Sequence, residues 1–176
     1  MVVVKIHQLK DGISLEQQHF TEAFLDQYRM SNCKPVVTPL MPNEHLSPAT
    51  SDEIQALKKL NTNYRSAIGS INYLSTATRP DLLCAVITIS KYLESAGLRH
   101  WQAFLHVLKY FNGSRNKVLY YPRRKSNGIT AFSNAYWGNC QVTRHSTTGY
   151  LTCLVPLLKA YLFLFQKTLY QTASTF

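Results

Sequence analysis

The stretch from Tyr64 to Phe111 most constrains the fold, because its apolar residues repeat at helical spacing three times in succession. Tyr64, Ile68, Ile71 and Leu74-Ser75 fall on one face, as the 3.6-residue period of an amphipathic helix requires. Gly69 within this helix predicts a closely approaching neighbour. Arg79-Pro80-Asp81 interrupts the pattern, since proline lacks a backbone donor and clashes with the preceding turn. A second stripe of Leu82, Ala85, Val86, Ile89 and Leu93 predicts a helix from Asp81 to about Glu94, ended by Gly97. A third, Phe104, Leu105, Leu108 and Phe111, predicts a helix over His100 to Phe111 with Asn112-Gly113 as its cap. These residues are core.

The flanks follow other rules. Val2-Val3-Val4-Lys5-Ile6 is β-branched, Lys10-Asp11-Gly12 is a turn signal, and Ile13-Ser14-Leu15 resumes alternation, so a β-hairpin is expected. Phe20, Phe24 and Tyr28 recur every fourth residue, which predicts a helix from about Gln17 to Met30. Pro35, Pro39, Pro42 and Pro48 rule out regular helix between Cys33 and Thr50 and predict an extended, mobile connector. Asp52-Glu53 opens a short helix reaching Leu60. Strands are expected at Val118–Tyr121, Ile129–Ser133, Gly149–Val155 and Leu162–Phe165. A hairpin, then helices, then strands makes an α+β chain. It divides into residues 1–50, a helical block at 51–114 and a strand-rich region at 115–176.

Charge is distributed unevenly. The net charge is +10, from 19 Lys and Arg against 9 Asp and Glu. Every acidic residue lies at or before Glu94, where the cations equal them in number; Ser95 to Phe176 carries only cations and no side-chain carboxylate. Such a chain favours polyanions, nucleic acid ahead of an acidic membrane. A site built on Asp or Glu cannot be assembled from the second half alone.

The four cysteines, Cys33, Cys84, Cys140 and Cys153, are too widely separated for a zinc motif. With no signal peptide at the N-terminus, an intracellular chain with free thiols, cytoplasmic or nuclear, is expected. The apolar run Leu151–Phe165 is interrupted by Pro156 and Lys159 and is shorter than the roughly 20 residues a spanning helix needs, so no membrane partner is expected.

Several segments resemble one family in order. Tyr64-Arg65-Ser66-Ala67-Ile68-Gly69-Ser70-Ile71-Asn72-Tyr73-Leu74, followed by Thr78-Arg79-Pro80-Asp81, is similar to a signature of copia-type retrotransposon reverse transcriptases. His100-Trp101-Gln102-Ala103 and Val107-Leu108-Lys109-Tyr110-Phe111-Asn112-Gly113-Ser114 resemble the family's His-Trp and "vLrYLkGT" stretches, and Ser146-Thr147-Thr148-Gly149-Tyr150 resembles the start of the second strand of its RNase H domain. Gly12-Ile13-Ser14-Leu15-Glu16-Gln17 and Met30-Ser31-Asn32-Cys33-Lys34-Pro35-Val36-Val37-Thr38-Pro39 also fit. The collinear match runs from about Val4 to Tyr150. The resemblance implies the end of a polymerase palm, then a thumb and connection, then the start of an incomplete RNase H-like sheet. It also implies that the paired polymerase aspartates lie upstream of this chain.

RNase H chemistry uses acidic side chains to hold two divalent ions about 4 Å apart. Magnesium, which the family uses, prefers carboxylate oxygens. Where the family reads "SDADWAGD", this chain reads Ser133-Asn134-Ala135-Tyr136-Trp137-Gly138-Asn139-Cys140. Asn134 takes the place of the first catalytic Asp, and Tyr136 and Cys140 replace the other two acids. Where a further Glu is expected, only Thr175 and Phe176 stand. No catalytic residue and no metal cofactor are therefore expected.

Binding is a separate matter. Lys109, Arg115 and Lys117 cluster at a helix end, Arg123-Arg124-Lys125 at a hairpin tip and Arg144 in a loop. Trp101, Tyr110, Tyr120, Tyr121 and Trp137 are interleaved with them. The resemblance places this region beside an RNA/DNA duplex, where such cations give sequence-independent, salt-sensitive affinity. A solvated basic face with buried aromatics is the alternative. An intact retrotransposon polymerase, met through the thumb-like helices, is a second candidate partner.

Overall fold

The computed structural model describes residues 4–42, 45–123, 128–136, 147–155 and 161–165. They form two units, residues 1–120 and 121–176, mixed in helix and sheet as an α+β chain.

The first unit opens on an antiparallel hairpin. Strand β1 (Lys5–Leu9) pairs with β2 (Gly12–Glu16) in the register Lys5↔Glu16 to Leu9↔Gly12, so Lys10 and Asp11 form the connection. Of the expected Val2–Ile6 strand, Lys5 and Ile6 are in β1 and Val4 is not, while Val2 and Val3 lie outside the described residues. Strand β3 (Leu119–Pro122) joins the sheet on the β2 side, and the Tyr120 hydroxyl donates to the Asp11 carbonyl at 3.0 Å.

Helix α1 (Gln18–Gln27) stops at Tyr28, where Arg29 turns into the left-handed region at φ 55°. Its aromatic stripe seeds the core. Phe24 meets Phe104 edge-on at 6.4 Å, while Tyr28 packs against both Trp101 and Phe104. Helix α2 (Ser51–Lys59) has a full capping box between Thr50 and Glu53, with acids in its first turn and lysines in its last, as the helix dipole favours.

Helix α3 (Tyr64–Ala77) is capped by Asn63 and buries Tyr64, Ala67, Ile68, Ile71, Leu74 and Ser75, the expected stripe. Gly69 departs from expectation: it is exposed, and nothing lies within 4 Å of where its Cβ would sit. Pro80 starts a 3-10 turn (Pro80–Leu82) that leads into helix α4 (Leu83–Ser90). This helix ends earlier than the stripe through Leu93 suggested. The Ser90 hydroxyl bonds back to the Val86 carbonyl, and Tyr92 and Leu93 close tight turns onto Ile89 and Ser90.

Gly97 is therefore not a stop for α4 but the N-cap of α5 (Leu98–Gly113). A Cβ there would come within 2.5 Å of the Ala49 Cβ and 2.8 Å of the Glu53 Cβ. The Gly97 N–H donates to Nδ1 of His100 at 3.0 Å, so this histidine is a capping residue. Helix α5 runs on through Asn112 and Gly113 because Ser114 takes over the cap: its backbone N–H and its hydroxyl both donate to the Tyr110 carbonyl.

The described parts of the proline-rich segment, residues 33–42 and 45–50, contain no helix but are not loose. It lies along α5, with Val36, Leu40 and Leu46 packed on the core. Asn112 donates to the Cys33 carbonyl, Arg99 to the Ser47 hydroxyl, and Tyr92 to the Leu46 carbonyl. Pro35 sits where a Cβ on Gly113 would stand. The expected mobile connector is thus a docked strap, because prolines that forbid helix leave an apolar, preorganised chain that can pack.

In the second unit, β4 (Gly128–Tyr136), β5 (Thr147–Val155) and β6 (Tyr161–Phe165) form an antiparallel sheet in that order.

Candidate nucleic-acid interface

The Thr78-Arg79-Pro80-Asp81 sequence builds the centre of the polar site. Helix α3 ends with the N–H groups of Thr78 and Arg79 both on the Leu74 carbonyl, and Pro80 forces the turn that follows. This geometry sends Arg79 inward, 3% exposed, against the end of α5. Its Nε and Nη2 donate to the two Asp81 oxygens at 2.9 and 2.8 Å. Its Nη1 donates to the Ser114 carbonyl at 3.1 Å and Nη2 also to the Ser114 hydroxyl at 2.6 Å, while the guanidinium lies 5.0 Å from the Phe111 ring centre. A planar fork with several donors is suited to this task as lysine is not.

Tyr110 and Lys117 extend the network. The Tyr110 hydroxyl donates to Asp81 Oδ2 at 2.9 Å, and Lys117 Nζ donates to that hydroxyl at 3.0 Å while standing 3.8 Å from the same carboxylate oxygen. Burial works to raise the Asp81 pKa, but the hydrogen bonds and charge of Arg79, then Tyr110 and Lys117, outweigh it and hold the carboxyl below its ordinary value.

Beside the network opens a cleft of about 110 Å³. Glu16, Gln17, Gln18 and Thr21 line it from the β2–α1 junction, Thr78 and Arg79 from the end of α3, and Arg115 to Val118 from the segment after α5. Gln17 Oε1 accepts from the Thr78 hydroxyl at 2.8 Å, tying two of these walls together.

The candidate cations are placed unequally. Lys109 on α5 and Arg115 just beyond it are exposed, and among the described residues neither has an ion-pair partner. Lys117 is exposed along its stem, with its tip engaged by Tyr110. Arg123 is exposed after β3. Arg124, Lys125 and Arg144 lie outside the described residues. So does Cys140, while Asn134 and Tyr136 stand on β4 opposite Gly149 and Thr147, with backbone alone described.

Two of the interleaved aromatics follow the alternative of buried rings: Trp101 and Tyr110 are 7% and 9% exposed and belong to the core. Their helix turns them inward along with Phe104 and Phe111. Sequence reasoning also passed over Arg79, Asp81 and Gln17 as site residues. Arg79-Pro80-Asp81 was legible as a helix break; its role as a clamp depends on α5, which is more than 30 residues away at Ser114.

No protein-family model matches the chain, and no solved structure matches it either. Curated proteins do. The chain is 34% identical over 141 residues to the retrovirus-related Pol polyprotein from transposon TNT 1-94 of Nicotiana tabacum, a match covering 78% of this chain and 10% of that protein. It is 29% identical over 151 residues to the corresponding polyprotein from transposon RE2 of Arabidopsis thaliana, covering 86% of this chain and 10% of the relative. An uncharacterised mitochondrial protein of Arabidopsis thaliana is 31% identical over 153 residues, 87% of this chain and 60% of its own length. The chain thus spans about a tenth of the length of the Pol polyproteins it matches.

Proposed function

Because this chain belongs to the Pol polyproteins of copia-type retrotransposons, we propose that it is a non-catalytic segment of a reverse transcriptase/RNase H polyprotein with sequence-independent affinity for nucleic acid. The family role is RNA-directed DNA synthesis. In this reading the helical block corresponds to thumb and connection, and β4 and β5 to the opening strands of RNase H.

The observation that carries the binding half is the free charge of Lys109 and Arg115, exposed and unpaired among the described residues at the end of a helix. Phosphate oxygens are natural partners for such cations, and the carboxylate-free second half offers no acidic side chain to compete for them. The non-catalytic half is supported by Asn134, Tyr136 and Cys140, which stand where the family's acids are expected. An amide oxygen lacks the charge that magnesium sites are built on.

Two measurements test this. Anisotropy titration of a labelled RNA–DNA hybrid across a salt series should give binding that weakens linearly in log–log coordinates. Hybrid cleavage and primer extension with magnesium or manganese should give no product. Cleavage that is abolished by Asn134→Ala would overturn the non-catalytic assignment, and salt-independent or absent hybrid binding would overturn the other.

A second reading keeps association with an intact retrotransposon polymerase but moves it from the thumb-like helices to the exposed apolar face of the hairpin. Ile6 is 69% exposed and Ile13 43%, on the same face by the strand register. Co-purification with a full-length polymerase, lost on Ile6→Lys, is the expected result.

A further inference from the structure

Gln17 is 5% exposed, lines the cleft, and satisfies only one end of its amide. Its oxygen takes the Thr78 hydroxyl, but its Nε2 is buried with no hydrogen-bond partner among the described residues. A buried donor left unanswered is uncommon enough to require an explanation.

The donors around it share a sense. Gln17 is also the N-cap of the ten-residue helix α1, which has no side-chain cap and no acid in its first turn. Its first N–H groups therefore lack a side-chain acceptor, at the end of the helix where the dipole favours negative charge. Arg115 stands in the cleft wall without an ion-pair partner among the described residues, and Lys117 stands beside it. Glu16 is the one carboxylate in the lining, and it is engaged by His7 at 2.9 Å. The space of about 110 Å³ is well beyond the roughly 10–15 Å³ that a single water needs, so it has room for a tetrahedral oxyanion.

We propose that this cleft seats one phosphate group, received by the Gln17 amide, the first turn of α1 and Arg115, and that the phosphate is a backbone phosphodiester of a bound strand. The seat deepens the nucleic-acid-binding reading and rests on it for the identity of the ligand. It differs from a diffuse basic face in requiring neutral, buried Gln17 as well as charge.

The test uses the full chain in two arms. In the first, inorganic phosphate is titrated while the side-chain amide resonances of Gln17 are followed by NMR; they are expected to shift saturably. In the second, hybrid binding is compared for wild type, Gln17→Glu, Arg115→Ala and Lys58→Ala, the last removing one exposed charge from α2 far along the chain. Arg115→Ala should weaken binding roughly tenfold, the size of one charge-assisted hydrogen bond, and lower the salt slope by about one. Gln17→Glu should weaken it at least as much, and Lys58→Ala distinctly less. Arg115 is exposed, so its variant keeps the test decisive even if Gln17→Glu does not fold. Wild-type hybrid binding with Arg115→Ala and Lys58→Ala indistinguishable, and no response of Gln17 to phosphate, would overturn the seat and leave the binding reading standing. A saturable Gln17 response without hybrid binding would assign the seat to free phosphate and overturn the strand. Silence in both arms would overturn both.

Discussion

Arg79 grips Asp81 through two parallel hydrogen bonds, Nε to Oδ1 at 2.9 Å and Nη2 to Oδ2 at 2.8 Å, while its remaining donors close the end of α5 on Ser114. One side chain thus joins the break after α3 to the terminus of a helix it never adjoins in sequence. Removing it leaves Asp81 to Tyr110 and Lys117 alone and takes the donor from the Ser114 carbonyl. Arg79→Ala should therefore destabilise the first unit by about 1–3 kcal/mol, as measured by denaturant unfolding. Arg79→Lys should recover only part of this, since an ammonium cannot span both carboxylate oxygens and Ser114 at once.

Stability should fall in acid in two steps. His100 is fully buried beside Tyr92; burial first, then the charge of Arg99, depresses its pKa below the ordinary 6.5. The unfolded chain binds that proton more readily, so stability from neutral His100 is whole above 6.5 and declines as pH falls below it. Asp81 acts lower: its contribution is whole above the ordinary 3.8 and is lost as pH falls through its depressed folded value. Urea midpoints measured against pH should show both declines. His100→Gln should flatten the upper one alone, and Asp81→Asn the lower.

Gly69 and Gly97 should respond in opposite directions to alanine. Gly97→Ala drives a methyl group into Ala49 and Glu53, with approaches of 2.5 and 2.8 Å, and should cost about 1–3 kcal/mol. Gly69→Ala meets nothing within 4 Å on the exposed side of α3 and should stabilise by about 0.5–1 kcal/mol through helix propensity. Thermal melts of the pair provide the check.

Phe104 is the hub of the aromatic core, fully buried with ring contacts to Phe24, Tyr28 and Trp101. Phe104→Leu should be tolerated better than Phe104→Ala, for which a loss of about 3–5 kcal/mol is expected. Because Phe24 lies on α1 and Tyr28 caps its end, chemical shifts of the hairpin and of α1 should move together with those of α5. A disturbance confined to α5 would show that α1 docks independently of Phe104.

The sequence by itself determined the helical faces. Ile68, Ile71, Leu74, Val86, Ile89, Phe104, Leu108 and Phe111 repeat at helical spacing, and all are buried. Periodicity is local, so it survives without knowledge of any partner. The absence of side-chain carboxylates after Glu94 is likewise a fact of composition that no fold can reverse. Tertiary structure alone decided which ends meet. Whether Arg79 points to water or into Ser114 depends on how α3 and α5 cross, and nothing in Thr78-Arg79-Pro80-Asp81 encodes that angle. The same holds for Gly69, which was expected to meet a close neighbour and meets none, and for Gly97, which meets Ala49 and Glu53. It holds also for Trp101 and Tyr110, whose inward turn removes them from any contact with bases. Helix geometry is written every few residues; the contacts that place an arginine, a glycine or a ring are made between residues tens of positions apart and exist only once the core has closed.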